Sequence, residues 1–186
     1  MIGDRALETM AEALQRCRRE TLVIDGFRPA AVFVPILLAP AGLELLFTVR
    51  AQSLKHHAGQ IAFPGGGAEN GETPEATAKR ETCEEIGVEV PDRQLLGRLD
   101  DQLSPAGYVV TPVVGALHWP QPVSLDAREV TDVFTAPLSE LARLTPYSEV
   151  RKGPHFERVL YHYPYRGRLI WGLTGNVLRS TLALLD

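Results

Sequence analysis

The pattern of apolar and polar residues divides the first fifty positions into a helix and two strands. Apolar residues recur at three- and four-residue steps over 4–20, which predicts an amphipathic helix. Residues 30–39 are almost all apolar, and 43–50 form a second apolar run after a Pro-Ala-Gly turn, so the two runs predict a buried hairpin. Pro35 lies inside the first run, and we interpret it as the mark of a sheet edge or a bulge.

The pattern changes at the glycine-rich segment that follows. Residues 60–63 predict a short strand that leads into a Pro-Gly-Gly-Gly turn. Thr73 is a good N-cap, and the proline after it suits the first helical position. Gly87 is typical of a helix end. Because the residues between them are mostly strong helix formers, we expect a helix over 73–86.

Strands and helices then follow one another without strict alternation. The pattern predicts strands over 94–100, 108–119 and 156–165, and helices over 137–144 and 172–185. This order indicates an α+β fold or an α/β/α sandwich with a mixed sheet. The length suits one domain over residues 1–186, with 1–28 as an N-terminal helical extension.

Composition and charge exclude several classes of protein. Of the 186 residues 45% are hydrophobic and 23% charged, as in an ordinary soluble domain, and the net charge of −4 argues against nucleic acid as a partner. No apolar run is long enough for a secretory signal or a membrane span, so we expect no membrane partner. Cys17 and Cys83 form no disulfide framework, which favours a cytoplasmic location. We interpret Cys83 as a packing residue on the core side of its helix.

The predicted helix after the glycine turn carries several carboxylates close together. Glu81 and Glu85 lie one turn apart on the same face, and Glu84 borders that face. Their mutual repulsion weakens an isolated helix, and a divalent cation such as Mg²⁺ or Mn²⁺ would compensate for it. Arg80 can orient a carboxylate through a bidentate contact. A solvated acidic face is the alternative when the helix is considered alone, but the preceding glycine turn favours a metal–phosphate site.

Together the turn and the helix resemble the Nudix box, G-x5-E-x7-R-E-U-x-E-E-x-G-U, in which U is a bulky apolar residue. Its fixed positions are filled by Gly66, Glu72, Arg80, Glu81, Glu84, Glu85 and Gly87. Val88 matches the last position, and Thr82 departs from a loosely apolar one. The resemblance implies a Nudix fold, an α/β/α sandwich whose box forms a loop–helix–loop. It also implies hydrolysis of a nucleoside diphosphate linked to another group.

The resemblance further implies a role for each residue of the box. Glu81 and Glu85 would be the principal ligands of Mg²⁺ or Mn²⁺, Glu84 a further ligand and Gly66 a carbonyl ligand. Arg80 would orient the carboxylates, and Glu72 would support the loop. Glu81 is the first candidate for the catalytic base and Glu85 the second.

A second motif precedes the box. Residues 46–66 resemble the signature of Nudix coenzyme A diphosphatases, L-L/M-T-x-R-S/A-x3-R-x3-G-x3-F-P-G-G. The matching residues are Thr48, Arg50, Ala51, Gly59, Phe63, Pro64, Gly65 and Gly66. Phe47 is a mild departure from the leucine or methionine of the signature. Lys55 stands where the signature has an arginine, so the positive charge is kept but the bidentate guanidinium is lost. This resemblance implies that coenzyme A or a derivative is cleaved to 3′,5′-ADP and 4′-phosphopantetheine.

The same motif indicates how the substrate is bound. The small-molecule nucleotide substrate is predicted to contact Arg50, Lys55, Gly65 and Gly66. When the two cations are considered alone, they are also typical of charges at the ends of strands. Three aromatic residues are interpreted as core residues, with stacking on adenine as the alternative: Tyr108, Trp119 and Trp171. Alternatives are a Nudix hydrolase of ADP-ribose, NADH or a dinucleotide polyphosphate, and a non-catalytic nucleotide sensor. A homodimer through the N-terminal helix also stays open.

Overall fold

The computed structural model describes residues 2–16, 18–54, 57–152 and 157–185. Its helices are α1 (Ile2–Arg16), α2 (Pro74–Ile86), α3 (Leu138–Leu141) and α4 (Gly172–Leu182). Its strands are β1 (Arg28–Ala39), β2 (Gly42–Arg50), β3 (Ile61–Ala62), β4 (Gly65–Gly67), β5 (Leu95–Arg98), β6 (Gln102–Ser104), β7 (Tyr108–His118), β8 (Val130–Pro137), β9 (Tyr147–Lys152), β10 (Glu157–Tyr165) and β11 (Arg168–Trp171).

These strands form one large and one small sheet. In the large sheet the strands follow the order β3-β2-β1-β7-β5, with β4 on β1, β6 on β7 and β8 on β2. β1 and β7 run parallel and the other pairs antiparallel, so the predicted mixed sheet is confirmed. The small antiparallel sheet has the order β11-β10-β9.

Side chains of the large sheet alternate between two hydrophobic clusters. On β1, Val34 and Ile36 belong to the first cluster, whereas Phe33 and Leu37 belong to the second. The first cluster also contains buried residues of α1, α4 and the small sheet, and the second contains those of α2. Because helices cover both faces of one mixed sheet, the fold is the predicted sandwich.

Pro35 lies in the middle of this sheet, so its interpretation as a sheet edge or a bulge is wrong. On one side, the partner of β1 changes from β4, which pairs up to Val32, to β2, which pairs from Ile36. Phe33 N–H donates to the carbonyl of Pro64 on this side, at 2.7 Å, and the backbone nitrogen of Pro35, two residues later, points to the same side. Proline has no N–H to donate, but its nitrogen lies between the segments paired with β4 and β2, so no hydrogen bond of either ladder is lost.

Most predicted elements are confirmed with shifted ends. The first helix ends at Arg16 in the described residues, because the following segment bonds to the sheet: Arg19 Nε donates to the carbonyl of Leu99 at 2.9 Å. Five strands, β4, β6, β8, β9 and β11, were not predicted, since they are short or carry polar, exposed side chains. Within the described ranges, no helix is long and apolar enough to cross a membrane.

Candidate active site

Local signals fix the position of α2, the helix of the box. Thr73 Oγ1 accepts a hydrogen bond from the N–H of Ala76 at 3.2 Å, and Pro74 occupies the first turn. At the other end Gly87 adopts a left-handed conformation with φ 69°, and its N–H donates to the carbonyl of Cys83 at 2.9 Å. The predicted start and end of this helix are therefore confirmed.

One face of α2 packs on the large sheet. Ala78, Thr82 and Glu85 are buried on this face. The hydroxyl of Thr82 donates to the carbonyl of Ala78 at 2.6 Å, which explains how a polar residue fills a position that is usually apolar. Cys83 is exposed, so its predicted place in the core is wrong. The helical period turns position 83 outward when 82 and 85 face inward.

Arg80 connects the carboxylates of the box to the glycine turn. Its Nη1 donates to Glu81 Oε1 and to Glu84 Oε2, both at 2.9 Å. Its Nε and Nη2 donate to the two oxygens of Glu72 at 2.9 and 3.0 Å, and Nη2 also reaches the carbonyl of Gly67 at 3.0 Å. A planar guanidinium with five donors suits this arrangement, and an ammonium group does not.

Glu72 anchors this network at the turn. Its Oε2 also accepts from the N–H of Glu69 at 2.8 Å and from Thr77 Oγ1 at 2.9 Å. Hydrogen bonds from Arg80 and the backbone lower the pKa of Glu72 to about 2, so it is ionised at neutral pH. These contacts support its predicted role as a structural residue of the loop.

Glu81 rests directly against Gly66. A Cβ atom at position 66 would lie 2.4 Å from Glu81 Oε1 and 2.5 Å from its carboxyl carbon, so only glycine leaves room for this carboxylate. A Cβ at Gly65 would lie 2.4 Å from the carbonyl oxygen of Ala31. Burial raises the pKa of Glu81 although Arg80 opposes this effect. The glycine turn thus brings a carboxylate of raised basicity to the backbone of β4.

Glu85 lies deeper, next to a residue from the other predicted motif. Its side chain is 2% exposed, and Arg50 Nη1 lies 3.9 Å from Glu85 Oε1. Burial raises the pKa of Glu85 to about 8, with Arg50 opposing and Glu81 adding to the rise. Glu85 Oε2 is buried without a hydrogen-bond partner. A buried carboxylate oxygen of this kind needs a cation or a proton.

The buried oxygen of Glu85 and the nearby carboxylate of Glu81 fit a hard divalent ion. Among the described residues, no three acidic, histidine or cysteine side chains converge into a preformed metal cage. Glu85 Oε2 is nevertheless without a partner, and Gly66 keeps the carboxylate of Glu81 next to the turn. Carboxylate oxygens are the ligands that Mg²⁺ prefers, and it usually takes only one or two of them beside water and phosphate. The donor set therefore fits Mg²⁺ or Mn²⁺ bound together with a substrate.

Sequence reasoning missed one acidic residue near this site. Glu129 precedes β8, and its charge raises the pKa of both Glu81 and Glu85. Its carbonyl accepts from the N–H of Ala51 at 2.8 Å, which ties its loop to the end of β2. Glu129 lies outside both motifs, so no sequence signal indicated it.

A cavity of about 340 Å³ opens beside the glycine turn. Arg50, Gly65 and Gly66 line it, so three of the four predicted substrate-binding residues face one space. The fourth, Lys55, lies outside the described residues. Tyr108 and Trp171 also line the cavity, which corrects their interpretation as core residues, whereas Trp119 packs against the core.

Replacing Gly66 by Ala is expected to reduce turnover about 10-fold, because the new methyl group displaces the Glu81 carboxylate. Steady-state rates at saturating magnesium test this expectation. Gly67→Ala is the matched variant, since a Cβ there would meet Tyr108 at an ordinary 3.5 Å. We expect a smaller loss for Gly67→Ala, and an equal loss in both variants would contradict the role given to the contact between Gly66 and Glu81.

The fold and this site define a class of protein, a hydrolase that acts on pyrophosphate bonds. The family model of the NUDIX domain matches residues 27–163. The chain therefore belongs to the Nudix family, and its substrate is a nucleoside diphosphate derivative.

Relatives and solved structures agree with this assignment. The chain is 42% identical over 161 residues to an uncharacterized Nudix hydrolase NudL of Photorhabdus laumondii, covering 84% of both chains. It is 38% identical over 156 residues to a Yersinia pestis protein of the same name, covering 82% of this chain and 77% of the relative. The crystal structure of a MutT protein from Methanosarcina mazei has the same fold, with a TM-score of 0.51 and 18% identity, over 66% of this chain and 86% of that one.

Proposed function

We propose that this Nudix hydrolase cleaves the diphosphate of coenzyme A or its derivatives, giving 3′,5′-ADP and 4′-phosphopantetheine. The observation that carries the proposal is the position of Arg50. This residue of the coenzyme A signature lies 3.9 Å from Glu85 of the Nudix box, and both motifs meet at one cavity. A cation at that position suits a diphosphate whose charge is not fully neutralised by metal.

Other residues of the signature support the loop that carries Arg50. The N–H of Arg50 donates to the carbonyl of Gln60 at 2.9 Å, and its carbonyl accepts from the N–H of Gly59 at 3.0 Å. Gly59 has φ 68°, and a Cβ there would lie 2.3 Å from Gln52 Nε2. Thr48 Oγ1 donates to the carbonyl of Ala62 at 3.2 Å. These contacts support a role for the signature residues in fixing the backbone at Arg50.

The box residues would hold the metal ion. Glu81 and Glu85, with Glu84 and the carbonyl of Gly66, are the proposed ligands. When bound, Mg²⁺ or Mn²⁺ neutralises the diphosphate and lowers the pKa of a coordinated water. Arg80 keeps Glu81 and Glu84 in place and so limits the geometry that a ligand can adopt.

The remaining steps belong to the protein's own side chains. Arg50 attracts and orients the diphosphate beside the glycine turn. Glu81, the first candidate for the catalytic base, accepts the proton of the attacking water. The water oxygen forms a bond to one phosphorus while the bond from that phosphorus to the bridging oxygen breaks, so that the bridging oxygen leaves with the other phosphate group.

Product analysis by liquid chromatography tests the proposal. Purified protein with magnesium or manganese is given coenzyme A, acetyl-coenzyme A, ADP-ribose, NADH and diadenosine polyphosphates in parallel. We expect 3′,5′-ADP and phosphopantetheine to form fastest. Glu85→Gln protein, purified in the same way, controls for contaminating hydrolases. Faster cleavage of another diphosphate would overturn the choice of substrate.

A further inference from the structure

The cavity beside the glycine turn is basic although the chain as a whole is acidic. Its described lining includes Arg50, Arg151 and Arg158, and it includes no Asp or Glu. The whole chain has a net charge of −4. Three arginines in a described cavity lining that holds no carboxylate indicate an anionic ligand. Arg50 already faces the carboxylate of Glu85, which leaves the other two arginines without a role in the reaction described above.

Arg151 and Arg158 form a cross-strand pair in the small sheet. They are direct partners in the register of β9 and β10, so both side chains lie on the same face. Like charges in this position destabilise a sheet unless something compensates for them. Arg151 Nε donates to Glu149 Oε1 at 2.8 Å, and Arg158 Nη1 donates to the carbonyl of Leu103 at 2.6 Å. These contacts restrain both side chains, and both line the cavity.

Arg158 is partly buried and lies near the like charge of Arg151. Burial, with a smaller effect from Arg151, lowers the pKa of Arg158 below its ordinary value. An anion placed between the two groups would reverse both effects, because it supplies charge-assisted hydrogen bonds to each.

Aromatic rings hold Arg151 at the cavity wall. Its guanidinium carbon lies 5.5 Å from the centre of the Trp171 ring, which also lines the cavity. Two more rings stack behind Trp171. The ring centre of His162 lies 5.5 Å from that of Trp171, and the ring centre of Tyr147 lies 4.7 Å from that of His162. The arginine is therefore positioned before any ligand arrives, which lowers the entropy cost of binding.

We infer that Arg151 and Arg158 form a subsite for a second phosphate group of the substrate, a phosphomonoester separate from the diphosphate that is cleaved. This inference rests on the proposed function, because coenzyme A carries a 3′-phosphate in addition to its diphosphate. Arg50 and the acidic helix serve the reacting diphosphate at the glycine turn. The arginine pair serves the phosphomonoester at the wall formed by the small sheet.

Arg151→Glu tests the subsite, since Arg151 is half exposed and its replacement does not disturb the core. Michaelis constants are measured for coenzyme A and for 3′-dephospho-coenzyme A. We expect the variant to raise KM for coenzyme A at least about 10-fold, as a lost charge-assisted contact predicts. KM for the dephosphorylated substrate stays within about twofold. Arg143→Glu makes the same charge change at an exposed position outside the cavity, and we expect it to leave both Michaelis constants unchanged.

The outcomes separate this inference from the proposed function. Equal increases in KM for both substrates would overturn the subsite while leaving the coenzyme A activity intact. If the wild type cleaves neither substrate, the proposed function fails, and calorimetry with 3′,5′-ADP and 5′-AMP then tests the subsite by itself. Tighter binding of 3′,5′-ADP that disappears in Arg151→Glu supports the arginine pair, and equal binding of the two nucleotides overturns it.

Discussion

Glu85→Gln is expected to reduce turnover by more than about 100-fold and to leave the fold intact. Loss of a residue that only supports a metal ligand typically reduces metal affinity or activity 10- to 100-fold, and loss of a proposed ligand should reduce activity further. The side chain is buried, and its Oε2 has no protein partner, so the variant removes the negative charge without breaking a hydrogen bond of that oxygen. Steady-state rates over a range of magnesium concentrations measure the effect.

Thermal unfolding with and without magnesium separates metal binding from folding. We expect magnesium to raise the Tm of the wild type, because an ion that binds only the folded state stabilises it. The increase should be absent or much smaller in Glu85→Gln. Without metal, the variant should be at least as stable as the wild type, since burial penalises the ionised form of Glu85 and raises its pKa to about 8, whereas an amide is neutral at every pH. Near-normal turnover at saturating magnesium would refute the assignment of Glu85, and the exposed Glu89→Gln is the control.

Arg80→Gln is expected to reduce turnover by about 100-fold, the upper end of the range for residues that position metal ligands. The guanidinium is the common donor to Glu72, Glu81 and Glu84, so its loss leaves three carboxylates without their shared cation. We therefore also expect a lower Tm in the metal-free protein. Rate measurements and thermal unfolding test the two effects separately.

Two further variants make the prediction for Arg80 specific. Arg80→Lys keeps the positive charge and loses the planar fork, so most of the loss in turnover should persist. Lys79→Gln removes a charge at the adjacent helical position, where Lys79 Nζ pairs with Asp92 Oδ1 at 2.5 Å outside the site. Its turnover should stay within about twofold of the wild type. If Arg80→Lys is as active as the wild type, charge alone is sufficient and the positioning role is wrong.

Features that depend on neighbouring residues were predictable from the sequence. The start and end of α2 follow from Thr73, Pro74 and Gly87, whose backbone preferences act within one turn of the helix. The 3.6-residue period places Glu81 and Glu85 on one side of it. The resemblance to the Nudix box then indicated the fold, which the mixed sheet and its two helical layers confirm.

Features that depend on distant residues were not predictable in the same way. Pro35 carries the usual mark of an edge strand, yet the change of partner from β4 to β2 accommodates it in the centre of the sheet. Cys83 is apolar enough for a core position, but the packing of α2 turns it to solvent. Glu129 lies far from the box in the sequence, and the hydrogen bond from Ala51 to its backbone carbonyl ties its loop to the end of β2.

The sequence by itself determined the Nudix family, the acidic helix and the candidate ligands, because the residues that define them lie within a single turn and a single helix. The tertiary structure alone decided which charges meet. It placed Arg50 beside Glu85 and aligned Arg151 with Arg158 at the wall of one cavity. These contacts join residues far apart in the chain, and sheet pairing and burial set their distances and charges. Local sequence preferences do not by themselves specify which distant residues pair.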